Sequence, residues 1–137
     1  MRRIYWDSCI FIYRVQAVDP WKHTIERLLL DIPDFRLVLT ELTRLECLVL
    51  PTRTNDSHLH TLYEQIFSLP IIQDIALDRS VFHLATELRA NDRIKTPDAI
   101  HLAAALVAGC DEFWTNDDRL AKAAKGRIHV INVNSPT

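Results

Sequence analysis

Glycine is scarce in this chain: of 137 residues only Gly109 and Gly126 are glycines, and neither stands in a glycine-rich loop. That scarcity excludes P-loops and dinucleotide fingerprints, which need several glycines so that backbone can approach phosphate closely. Cysteine is nearly as sparse. Cys9, Cys47 and Cys110 are odd in number, lack a CxxC spacing and lie among apolar residues. They read as reduced core residues of a cytoplasmic protein and exclude a disulfide framework or thiolate metal site. No apolar run is long enough for a bilayer: the longest, Ala99 to Gly109, is far short of the ~20 residues required and includes His101. The start Met1-Arg2-Arg3 resembles a signal peptide, but Asp7 and Arg14 break the run that follows and no small-residue cleavage site appears. Charge of one sign is missing as well. With 18 acidic and 16 basic residues the net charge is −2, whereas a duplex-DNA binder that neutralises phosphates is visibly basic. Any contact with nucleic acid must therefore use a local patch or bound cations.

What is present is an ordinary globular composition, 48% apolar and 25% charged, and a length that suits one domain spanning residues 1–137. Short β-like runs alternate with helical patterns. Strands are expected at Arg2–Trp6, Phe35–Leu39, Ile71–Leu77, Glu112–Thr115 and Ile128–Val133. Helices are expected from Ser8 to Val15, Trp21 to Leu30, Thr40 to about Leu50 with Pro51 as the stop, His58 to Leu69, Asp78 to Asn91, and Asp117 to Ala124. The helix with the best-marked ends places Thr96 at the N-cap, Pro97 at the first helical position and Gly109 just past the end. Regular alternation predicts an α/β fold, a three-layer α/β/α sandwich around a mainly parallel sheet of about five strands. Such folds bind ligands beyond the carboxyl ends of their strands.

The carboxylates fall where that rule looks. Asp7 directly follows the first strand, where it can also cap the next helix. Glu46 lies on a helix between Leu42 and Leu50 and beside Leu45 and Val49; a carboxylate inside an apolar stripe must be paired, protonated or bound to a cation, unless the position is solvated. Glu41 is only a first-turn acid that favours the helix dipole. Asp98 begins a helix that is otherwise apolar except for His101, and dipole complementarity accounts for it equally well. His101 is a possible second metal ligand but reads first as a satisfied structural histidine. Asp117 and Asp118 follow the fourth strand; one caps the last helix and the other faces the site, and Asp117, nearer the strand end, is assigned to it. Four carboxylates crowded on one edge repel each other, and a hard divalent cation with oxygen ligands resolves the repulsion. Mg²⁺ or Mn²⁺ there would activate water and neutralise phosphate charge, so metal-assisted phosphodiester hydrolysis is the expected chemistry.

These segments also resemble a known family. Ile4-Tyr-Trp-Asp7-Ser8 with an apolar helix after it is similar to the opening of PIN domains, and Leu39-Thr-Glu-Leu-Thr-Arg-Leu-Glu46-Cys-Leu to their second acidic motif. Thr96-Pro-Asp98-Ala-Ile-His-Leu-Ala-Ala-Ala105 resembles the third and Phe113-Trp-Thr-Asn-Asp117-Asp-Arg-Leu120 the fourth. The resemblance covers nearly the whole chain and is greatest to single-domain toxins of the VapC type. It implies a PIN-like α/β/α fold, endoribonuclease activity with Mg²⁺ or Mn²⁺, a homodimer, an RNA substrate and inhibition by a cognate antitoxin. The family's acidic quartet carries over to Asp7, Glu46, Asp98 and Asp117 as catalytic and metal-binding residues, with Asp118 an additional acid of unassigned role.

Rival readings fit less well. A haloacid-type phosphatase needs a second Asp two residues after the first, where Cys9 stands, and a receiver domain needs acids near the first strand that partner a phosphorylated Asp such as Asp78. A non-catalytic PIN-like module that binds RNA or protein is the alternative of a different class. Arg14, Arg44, Arg53, Arg93, Lys95 and Arg119 are the basic residues available to a phosphate backbone.

Overall fold

The computed structural model describes residues 1–136. Five strands, β1 (Arg2–Trp6), β2 (Phe35–Leu39), β3 (Ile72–Asp74), β4 (Glu112–Thr115) and β5 (His129–Asn132), form one sheet in the order β3-β2-β1-β4-β5. Every pairing is parallel. The chain moves outward from β1 to β3 on one side and then crosses to β4 on the other. The β1–β4 seam is therefore the topological switch point, where α/β sheets open a crevice at their carboxyl edge.

The strands are apolar on both faces because both faces are covered. Ile4, Trp6, Leu37, Leu39 and Trp114 point into one core with Ile10, Phe11, Ile25, Tyr63 and Phe67. That layer is built from α1 (Ser8–Val15), α2 (Trp21–Leu30), α3 (Glu41–Arg53) and α4 (Ser57–Phe67). The alternate residues Tyr5, Val38 and Phe113 point into a second core with Val81, Leu88, Leu102 and Leu120. Its helices are α5 (Arg79–Asp92), α6 (Thr96–Val107) and α7 (Asp118–Ala124). The expected three-layer parallel fold is the one observed.

Three boundaries differ from expectation. Pro51 does not stop α3 but lies buried in its last turn. Proline there removes a single ladder bond, and the Thr54 N–H still reaches the Leu50 carbonyl at 3.0 Å. Lys95, not Thr96, precedes the first residue of α6, because the Ala99 N–H bonds to the Lys95 carbonyl at 2.9 Å. Pro97 then takes the second helical position, where its missing N–H is still one the helix leaves unused. The third strand is shorter than Ile71–Leu77: Ile72–Asp74 pair in register with β2, and the edge ladder ends where the Ile75 N–H reaches the Leu39 carbonyl at 3.0 Å. Gly109 does end α6: its φ of +69° is left-handed, and the Cys110 N–H closes on the Ala105 carbonyl at 3.0 Å.

Helix α6 can lie so deep because it presents alanines. Ala99, Ala103, Ala104 and Ala105 are fully buried and let α5 and the sheet approach closely. Ala103→Leu is therefore expected to destabilise the protein by about 1–3 kcal/mol in urea denaturation through overpacking. Leu30→Ser, at a position 85% exposed, should change stability by less than about 0.5 kcal/mol.

Candidate active site

Asp7 and Asp117 meet across the β1–β4 seam. The Asp7 N–H donates to the Trp114 carbonyl at 3.0 Å, which ties the end of β1 to β4. Asp7 caps α1 through Oδ1, which accepts from the Ser8 N–H at 2.8 Å, while Oδ2 accepts from the Thr115 hydroxyl at 2.8 Å. Thr115 in turn accepts from the Asp117 N–H at 3.1 Å, so one buried hydroxyl joins the first and last acids. Asp117 itself caps α7 by accepting from the Leu120 N–H at 3.0 Å. The expected division between Asp117 and Asp118 is thus not what occurs. One residue both caps the helix and faces the other acids, and exposed Asp118 turns away to accept from Asn132 at 2.8 Å.

Asp98, in the first turn of α6, has no hydrogen bond or ion pair to a side chain or backbone group among the described residues. It is half-buried, and its carboxyl is pushed up to about 6 by burial and then by the charges of Asp7 and Asp117. Glu46 pushes in the same direction and His101 opposes. Asp98 therefore feels the other three acids at once.

Glu46 is half-buried, but not for the reason its sequence neighbours suggest. Leu45 and Val49 are 60% and 46% exposed, and Leu50 is also exposed. The buried face of α3 is instead Thr43, Cys47 and Pro51, at i, i+4 and i+8. Glu46 borders that face and turns toward α6 and α1. Its Oε1 accepts from His101 Nε2 at 2.5 Å and from the Ser8 hydroxyl at 2.8 Å. Burial alone would raise the Glu46 carboxyl, but His101 and the Ser8 hydroxyl, both bonded to it, outweigh burial and hold the group below the usual range. Glu41 stays outside, paired with Arg44 on the exposed surface.

Four supporting residues, Ser8, Tyr5, His101 and Thr115, complete the cluster. His101 is satisfied and buried as a structural histidine would be, yet its partner is one of the acids. Ser8 and Thr115 are not expected from the sequence reading, although each is a hydroxyl within two positions of an acid at a strand end. Of the basic residues, Arg14 is bound to Glu26, and Arg44 to Glu41 and Asp74. Arg93 and Arg119 line a cleft of about 460 Å³ with Lys122 and Asp92.

The donors facing the seam are hard carboxylate oxygens, with Asp98 lacking any protein partner. That chemistry suits Mg²⁺ or Mn²⁺, which bind through one or two carboxylates and keep several waters. Among the described residues no group of three ligating side chains is already placed to hold an ion.

The charge pattern has a consequence for stability. Asp98 titrates higher in the folded chain than in the unfolded one, so its ionised form opposes folding above about pH 6, and that cost is relieved as pH falls toward 4. Glu46 has the opposite sign: its contribution is present above the ordinary carboxylate range and is lost as pH falls through its lowered value. Metal-free protein is expected to become more stable from pH 7 to about 5 and to lose stability at lower pH. Asp98→Asn should flatten the first limb and leave the melting temperature at pH 7 unchanged or higher. Calorimetry across the pH range checks this; a large drop in melting temperature would make Asp98 a structural helix-start residue.

A PIN domain family model matches residues 4–126. Among solved structures, the chain is similar to Mycobacterium tuberculosis VapC20, a sarcin-ricin loop cleaving toxin, with a TM-score of 0.73 and 17% identity over 92% of this chain and 98% of that one. It is similar to Rickettsia felis VapBC2 bound to a promoter DNA fragment, with a TM-score of 0.73 and 12% identity over 95% and 98%. FitAcB from Neisseria gonorrhoeae gives a TM-score of 0.72 and 18% identity over 95% and 97%. At such identities the likeness is one of fold. No curated protein sequence matches significantly. A family model that spans residues 4–126, on a parallel sheet with acids gathered at its switch point, identifies the chain as a member of the PIN domain family.

Proposed function

We propose that the protein is a divalent-metal-dependent endoribonuclease that hydrolyses RNA phosphodiester bonds and acts in the cytoplasm as the toxin of a toxin–antitoxin pair. The observation that carries this reading is Asp98, a half-buried carboxylate without a protein partner that feels Asp7, Asp117 and Glu46 together. In this reading Asp7, Glu46, Asp98 and Asp117 are the catalytic and metal-binding residues. Bound Mg²⁺ or Mn²⁺ would lower the pKa of a coordinated water and offset phosphate charge during attack. Asp7, held on both oxygens by Ser8 and Thr115, supplies a carboxylate of fixed orientation. Asp98 is free to turn toward a cation or to take a proton from water. Asp117 is fixed through Oδ1 by its helix cap, which leaves Oδ2 for the site.

The toxin part of the reading is supported by the likeness in fold to VapC20 and to the VapBC and FitAcB structures. A nuclease of this kind needs external restraint, and a protein partner that places an Arg or Lys among the four acids would substitute for the cation.

Purified protein freed of any partner is expected to cut single-stranded or loop RNA with Mg²⁺ or Mn²⁺ and to stop with EDTA. Asp7→Asn and Asp98→Asn should each lower the rate by roughly 10²–10⁴-fold. Undiminished cleavage in EDTA, with no metal by elemental analysis, would sink the mechanism. Metal-independent RNA binding without cleavage would favour a non-catalytic module.

Expressed alone in a bacterial host, the wild-type chain should arrest growth, and Asp7→Ala or Asp98→Ala should relieve the arrest at equal protein level. Harmless accumulation of soluble, RNA-cleaving wild type would remove the toxin assignment and leave the nuclease.

A further inference from the structure

We propose that Tyr5 and His101 are positioning residues that hold Glu46 in place from inside the core, reserving one of its oxygens for the protein and the other for the reaction. The inference rests on the nuclease reading of Glu46 and adds to it a part for two residues that lie behind the acids.

The geometry is a line of three side chains. Tyr5 Oη is 2.6 Å from His101 Nδ1, and His101 Nε2 is 2.5 Å from Glu46 Oε1. The same Nε2 is 3.2 Å from the Ser8 hydroxyl and 3.9 Å from Asp7 Oδ1, so the imidazole stands between two of the acids. A carboxylate only accepts hydrogen bonds, so the bond to Glu46 places the proton on Nε2. In the neutral ring Nδ1 is then an acceptor, and the Tyr5 hydroxyl, inside the second core, donates to it. Ser8 donates to the same Glu46 oxygen at 2.8 Å. Oε1 is thereby held from two directions, while Oε2 has no partner among the described residues.

A histidine serving the core alone would find any nearby acceptor on α6 or the sheet. Here the ring is instead clamped between a strand residue and a side chain of α3, and it is 1% exposed. Glu46 gains a fixed orientation that its own exposed helix neighbours do not supply. Partners of this kind behind a metal ligand typically change metal affinity or activity by about 10–100-fold when removed.

Long-range ¹H–¹⁵N NMR of the full, metal-free chain reads the first step directly. The wild type should show His101 protonated on Nε2, and Tyr5→Phe should keep that proton but move the Nδ1 resonance as this nitrogen loses its donor. Titration with Mn²⁺ reads the second: Tyr5→Phe should weaken binding about 10-fold and lower kcat similarly, with KM for RNA nearly unchanged. His101→Gln, which keeps an N–H able to reach Glu46, should retain more affinity than His101→Leu, and it serves as the second variant if Tyr5→Phe does not fold. In a Glu46→Gln background Tyr5→Phe should cause no further loss of Mn²⁺ affinity, because the coupling runs through that carboxylate. Protonation on Nδ1 in the wild type, or a folded Tyr5→Phe protein that binds Mn²⁺ and cuts RNA like the wild type, would overturn the proposal. A wild type that shows the Nε2 proton but neither binds Mn²⁺ nor cuts RNA would overturn the nuclease reading beneath it, a result set apart because the unmutated chain itself is silent.

Discussion

Like charges do not gather at one place in a protein unless something stronger prevents them from separating, and in this chain that restraint is the β1–β4 seam. Asp7 hangs from the last residue of β1 and Asp117 follows the end of β4, and the two strands are paired in register through Ile4, Tyr5 and Trp6. The Asp7 N–H continues the ladder to Trp114, and Thr115 bonds both acids. The bond from Thr115 to the Asp7 carboxylate is to a charged group and worth about 1.5–3 kcal/mol. Behind them the aromatic packing of Trp6, Trp114, Phe11 and Phe67 on one face, and of Tyr5 against Phe113 on the other, fixes the strands. The acids are thus placed by apolar burial that does not depend on them.

The four acids reach the seam by different local devices. Asp7 and Asp117 are helix caps, so their carboxylates are oriented by backbone N–H groups that need an acceptor in any case. Asp98 stands in the first turn of a helix without a capping side chain, where the dipole favours its charge while its neighbours disfavour it. Glu46 has no backbone device at all and depends on side chains from α1 and α6. The cluster is therefore graded: Asp7, Asp117 and Glu46 are held by their partners, and Asp98 is left free to adjust. An ion that enters with its own waters needs that mixture: fixed charge to draw it in, and movable oxygens to complete its shell.

Much of this was legible in the residues. Strand and helix alternation, the continuous apolar runs and the punctuation by Thr40, Asp78 and Gly109 predict a parallel three-layer fold, because covered sheets and capped helices impose those patterns directly. The positions of Asp7 and Asp117 follow from the rule about strand ends, and that of Asp98 from the start of an otherwise apolar helix. Other features were not legible, for identifiable reasons. Proline as a helix stop is a statement about helix interiors, and Pro51 falls one turn from the end, where little is lost. The apolar neighbours of Glu46 suggested a buried stripe, yet Leu45 and Val49 face solvent; a heptad-like pattern does not say which of two faces meets the sheet. His101 reads as structural because periodicity shows its burial and not its partner, which comes from a helix 55 positions away. Ser8 and Thr115 were passed over because a hydroxyl beside an acid is common, and only the seam makes each of them bridge two groups.

The net charge of −2 at first counts against a nucleic-acid enzyme, but charge averaged over the chain is the wrong quantity. Arg14 is paired with Glu26 and Arg44 with Glu41 and Asp74, the Arg44 guanidinium lying also over the Phe67 ring. Arg93, Arg119 and Lys122 instead share one cleft, with Asp92 as the only acid lining it and Arg127 paired to that acid. Arg119 lies two residues after Asp117, and Arg93 lies on the turn that leads into the helix of Asp98. In the nuclease reading proposed above, the acids would suit a divalent cation and the basic cleft the phosphates of a bound strand. A uniformly basic surface would hold duplex and single strand alike through the backbone. In the nuclease reading, one basic cleft on a surface of mixed charge would instead favour loops and single strands, whose backbone bends into a site at lower cost than a helix does.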